Sequence, residues 1–62
     1  MTKRDEYKGK AETATRKAAT LKADAAFLRS IGHERSAVEK ETAAEVELAF
    51  ASTCERWAEE AA

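Results

Sequence analysis

The residues best equipped for chemistry in this sequence are His33 beside Glu34, the lone Cys54, a series of glutamates in the second half and a series of lysines and arginines in the first. His33-Glu34 opens the H-E-x-x-H pattern that ligates zinc from one helical face, but the position of the second histidine is Ala37. A helical di-iron site needs Glu three residues before His, and Ser30 stands there. A single imidazole among scattered carboxylates makes a poor metal cage, so His33 reads as a solvated turn residue and no metal or other cofactor is expected. A thiol nucleophile needs a base within hydrogen-bond reach. The only histidine would stand about 30 Å from Cys54 along a helix rising 1.5 Å per residue. Cys54 therefore reads as a small buried apolar residue near a Phe50 and Trp57 face. With two glycines there is no Gly-rich phosphate loop, and with one histidine no Ser-His-Asp set is in view. The chain is expected not to be an enzyme.

Two binding chemistries remain. Glu39, Glu41, Glu45, Glu47, Glu55, Glu59 and Glu60 could mimic a nucleic acid toward a basic protein, although such surfaces are commonly plain solvated faces. Lys3, Arg4, Lys8, Lys10, Arg16, Lys17, Lys22 and Arg29 could meet phosphates, with Lys17 and Lys22 as the candidate nucleic-acid contacts. Against this, only Tyr7 and Phe27 stand among the basic residues, too few for a stacking platform, and the net charge is −1.

The elements that must position these residues are helical. The 62 residues contain no proline and are 37% charged, a composition suited to long exposed helices. Fifteen residues are alanine, which leaves Met1, Tyr7, Leu21, Phe27, Leu28, Ile31, Val38, Val46, Leu48, Phe50 and Trp57 as the large core formers, a thin core for an independent monomer. One cysteine cannot form an intrachain disulfide. No apolar run is long enough to span a bilayer, and the first ten residues lack the apolar segment of a secretory signal, so no membrane contact and a cytoplasmic location are expected.

Tyr7, Ala11, Ala14, Ala18, Leu21, Ala25 and Leu28 alternate spacings of four and three, a heptad stripe that predicts a first helix. Thr2 and Asp5 form a variant capping box at its start, and Gly9 weakens its first turns. The i,i+4 pairs Glu6 with Lys10 and Glu12 with Arg16 have the favourable order. Gly32 is placed to end the helix in the left-handed region, with Arg29 in the last turn. Ser36-Ala37-Val38-Glu39 then matches an S-x-x-E capping box, although Glu34 could also sit in an earlier first turn. A single hairpin domain over 1–62 follows, with helix one over about 3–31, the turn over about 32–35 and helix two over about 36–60. The first 31 residues carry eight Lys/Arg and four Asp/Glu and the last 31 carry three and eight, so the halves attract when they fold back. In that arrangement Lys3, Arg4, Lys8 and Lys10 would lie beside Glu55, Glu59 and Glu60.

Helix two carries two stripes. Ala43, Val46, Phe50, Thr53 and Trp57 form one; Ala37, Ala44, Leu48, Ala51 and Ala58 form the other. Helix one can cover only one of them well. The fold class expected is all-α, an antiparallel two-helix hairpin dimerising into a four-helix bundle, with Val46, Phe50, Thr53 and Trp57 as the partner or dimer interface. The turn region, with Leu21, Ala25 and Leu28 before Gly32 and Ala37, Val38 and Ala44 after it, resembles the helix-turn-helix of a tetratricopeptide repeat. The resemblance covers about 25 residues, departs at Glu41 and Glu45 where that family has a large apolar residue, and implies hairpin geometry only. The Ala and Leu heptads of helix one are also similar in packing to the layers of Rop-type bundles.

The function expected is a small non-catalytic helical protein-interaction module, an adaptor, regulator or inhibitor, acting through the apolar face of helix two on a protein partner or a second copy. Its size suits a phage or mobile-element protein. The alternative is a Rop-like nucleic-acid-binding bundle that uses the basic first helix.

Overall fold

The computed structural model describes residues 2–61, so Met1, one of the expected core formers, lies outside the described residues. Two helices make up the fold, α1 (Lys3–Ser30) and α2 (Glu34–Glu60), packed side by side as an antiparallel hairpin. At the start of α1 the Thr2 hydroxyl accepts the Asp5 backbone N–H at 3.2 Å, one of the four donors that the first turn leaves without a helical partner. Gly9 is helical and α1 runs through it without a break.

The turn is built around Gly32, whose φ is +86°. The His33 N–H donates to the Leu28 carbonyl at 2.8 Å and the Gly32 N–H to the Arg29 carbonyl at 3.2 Å. These two reverse bonds are the Schellman pattern, which needs a left-handed residue at the glycine position. Because they close the turn in three residues, α2 begins at Glu34 rather than near Ser36. Ser36 already lies inside the helix, so the expected Ser36–Glu39 capping box does not form; the N-cap is His33, which supplies no side-chain bond.

The face between the helices differs in content from the expected core. Ala11, Ala14, Ala18 and Ala25 of α1 and Ala37, Ala44, Ala51, Cys54 and Ala58 of α2 are the buried residues. Tyr7, Leu21, Leu28 and Leu48 are half-buried at the margins, while Phe27, Ile31, Val38, Val46, Phe50 and Trp57 are exposed. The physical reason is the spacing: Ala37, Ala44, Ala51 and Ala58 recur every seventh residue, as do Ala11, Ala18 and Ala25, so small side chains hold the line of closest approach and larger ones are displaced sideways. Two helices also enclose no interior beyond that line. Cys54 belongs to this line, in a cluster with Ala11, Ala14 and Ala51 on which Tyr7 packs. It is buried, as expected of a small apolar residue there, on the line that faces α1.

The expected charge pairs form only in part. Among the described residues, cation and carboxylate close to within 4 Å at Lys3–Glu6, Arg29–Glu34 and Arg29–Glu41. Arg4, Lys8, Glu55 and Glu59 line one shallow groove, so the basic start of α1 does lie beside the acidic end of α2, without direct contact. Glu6 with Lys10 and Glu12 with Arg16 do not close. No helix in the described residues is long and apolar enough to cross a membrane.

Candidate interaction surface

The heptad geometry that puts alanines between the helices turns the second stripe of α2 outward. Val46 is 65% exposed, Phe50 44% and Trp57 42%. Thr53 is half-exposed on the same stripe, and its hydroxyl donates to the Ala49 carbonyl at 3.1 Å. The residues expected at the interface thus share one face. Trp57 is anchored there: its ring lies 5.6 Å from that of Tyr7, tilted by 55°, an edge contact across the hairpin that leaves much of the indole open.

The same side of the hairpin includes α1. Asp5, Glu6, Gly9, Lys10, Thr13, Ala14 and Lys17 line an open groove with Glu47 and Phe50 of α2, and it continues past Lys17 to Thr20 and Leu21. Beyond it, Lys3 and Tyr7 meet Trp57 and Glu60. The face therefore has a bulky row on α2, a small row of Gly9, Thr13 and Thr20 on α1, and charges of both signs beside them, Lys10, Lys17 and Glu47 lining the same groove. Thr13 and Thr20 donate to the carbonyls of Gly9 and Arg16 at 3.0 and 3.2 Å, so their hydroxyls already have acceptors within their own helix. Away from the aromatic row, Lys8, Ala11, Glu12, Thr15, Arg16 and Glu55 line a second groove, which meets the first at Arg16. Sequence reading missed that the aromatic row of α2 and Lys3, Lys10 and Lys17 of α1 share a side. The seven-residue spacing of those lysines was the available signal.

Lys17 sits on this groove, whereas Lys22 lines none of the grooves described here. Five residues turn a helix by about 140° beyond a full circle, so the two candidate phosphate contacts do not share a face. His33 lies in the turn, and about 30 Å of helix separates it from buried Cys54. Among the described residues, no three His, Cys, Asp or Glu side chains converge as a metal cage would require.

The turn holds the most tightly organised polar group. Arg29 Nη1 and Nη2 donate to the two oxygens of Glu41 at 2.7 and 2.8 Å, and Nε donates to Glu34 at 3.4 Å. The forked bond from Arg29 holds the Glu41 carboxyl below the usual carboxylate range, and the bonds to Glu41 and then Glu34 push the Arg29 guanidinium above its ordinary value. Glu41, where the tetratricopeptide pattern has an apolar residue, thus ties α2 to the end of α1. In comparison with known proteins, no family model, no curated protein and no solved structure matches this chain.

Proposed function

We propose that the chain is a small non-catalytic helical interaction module that binds protein through the outer face of α2, in the manner of an adaptor, regulator or inhibitor. One observation carries this reading: Val46, Phe50 and Trp57 stand exposed in a single stripe on a rigid helix. An aromatic centre with a mixed-charge rim is the composition of protein interfaces, where a few large aromatic side chains carry most of the binding energy. Asp5, Glu6, Glu47 and Glu60 against Lys3, Lys10 and Lys17 make the rim unsuitable for tracking a polyanion. The reading includes a reducing, cytoplasmic setting, which suits an unpaired thiol.

The test is capture from source cells with the whole chain as bait, beside a Phe50→Glu bait, each with and without nuclease. A protein retained by the first bait, resistant to nuclease and lost with the second is the expected result. Identical capture by both baits, or capture that nuclease abolishes, contradicts it. The Rop-like alternative, resting on the lysines of α1, predicts a gel shift at low salt that weakens steeply as salt rises.

A further inference from the structure

We infer that the occupant of this face is a second copy of the chain, seated so that α2 of each copy packs on α1 of the other about a two-fold axis that runs along the helices. This rests on the interaction-module reading and specifies its partner. Two ways of stacking the same face on itself bring antiparallel neighbours together. An axis perpendicular to the helices puts α2 on α2 and α1 on α1. An axis along them puts α2 on α1 at both contacts.

Charge decides between the two. The residues of α1 include eight Lys/Arg and four Asp/Glu, and those of α2 three and eight. Pairing like helices sets acidic against acidic and basic against basic along their whole length; pairing unlike helices sets opposite signs together twice. Shape gives the same answer. The bulky row of Val46, Phe50 and Trp57 would meet a second bulky row in the first arrangement, but the small row of Gly9, Thr13 and Thr20 in the second. The threonine hydroxyls of that row are bonded within their own helix, so covering them strands no donor.

The axis also fixes the register. A rotation about a line along the helices moves nothing along that line, so residues level with one another inside a copy are level between copies. Within a copy Tyr7 is level with Trp57, and Ala11 and Ala14 with Cys54 and Ala51. By the same count Glu47 is level with the second copy's Lys17, and Trp57, Phe50 and Val46 fall within about two residues of the level of its Gly9, Thr13 and Thr20. Lys17 and Glu47 both border the face, and in the pair each would meet its opposite from the other chain.

The experiment uses two single variants, Lys17→Glu and Glu47→Lys, with sedimentation equilibrium of each alone and of an equimolar mixture. The unmodified chain is expected to be a dimer. Each variant alone sets like charges together at both contacts and is expected to dissociate more readily, by about tenfold or more in Kd. The mixture is expected to restore the dimer, because a Lys17→Glu chain and a Glu47→Lys chain match at both contacts. Exchange of chains cannot repair a defect inside a chain, so restoration reports on the interface alone. A dimer of the unmodified chain with no restoration on mixing overturns this arrangement. A monomer at hundreds of micromolar overturns the second copy as occupant while leaving the face open to a different protein, which the capture experiment reads separately.

Discussion

Gly32 and Arg29 carry the turn between them. At φ +86° an L side chain is strained, although the space around Gly32 is open, so Gly32→Ala is expected to cost about 1 kcal/mol in urea unfolding without a steric clash. No loss would show that the turn relaxes at no cost. The ion pair has a pH signature whose sign follows from Glu41. Its folded-state carboxyl is depressed, so its contribution is present above the unfolded carboxylate range, near about 4.3, and is lost as pH falls through the lower folded value. Thermal melts taken downward from pH of about 5 should show the unmodified chain losing stability more steeply than Glu41→Gln. Parallel curves would mean that Glu41 is no better paired when folded than when unfolded. Cys54 asks for little chemistry at this scale, since a fully buried thiol against three alanines acts as a filler of small volume.

At the scale of the helices, the alanine line sets the geometry. Ala44 is fully buried where the helices approach, so Ala44→Leu forces them apart and is expected to cost about 1–3 kcal/mol, read as a lower denaturation midpoint. Gly9 offers the opposite case: a Cβ there meets nothing within 4 Å, so Gly9→Ala is expected to stabilise α1 by about 0.5–1 kcal/mol. That gain belongs to the single chain at low concentration; in the dimer the added Cβ would meet the second copy's Trp57, so the gain should shrink as protein concentration rises. The heptad spacing of Tyr7 to Leu28, the Thr2 cap and the break at Gly32 were legible in the sequence because each is a local pattern with one reading. The start of α2 was not, since Ser36–Glu39 is an equally good local signal, and what overrode it was the closure of the Gly32 turn. The core was misjudged for a different reason. Size marks Phe27, Val38 and Val46 as core formers, but in a two-helix seam position outweighs size, and the seven-residue line belongs to alanine. The interface stripe itself was readable, because helix two has two apolar stripes and the chain supplies one neighbour. Its company on α1 was half legible: the seven-residue spacing of Lys3, Lys10 and Lys17 puts them in one row, but which side of the hairpin that row shares depends on which way the turn folds.

The Cα trace spans 46 by 15 by 9 Å along its principal axes, one layer of helices, too thin to bury a large side chain on all sides. A fold of this size has little apolar burial to set against the entropy of ordering its chain. Val46, Phe50 and Trp57 are about half covered already, so burying the remainder would add half of the roughly 1.5–3 kcal/mol that full burial of each brings, and assembly and stability are linked through one face. That linkage is measurable as the dependence of the melting temperature on protein concentration. From micromolar to hundreds of micromolar, the melting temperature of the unmodified chain should rise, while that of Phe50→Glu should stay constant with the hairpin still helical. A melting temperature that does not move with concentration in the unmodified chain would contradict the claim that the α2 face completes the fold by binding a second copy.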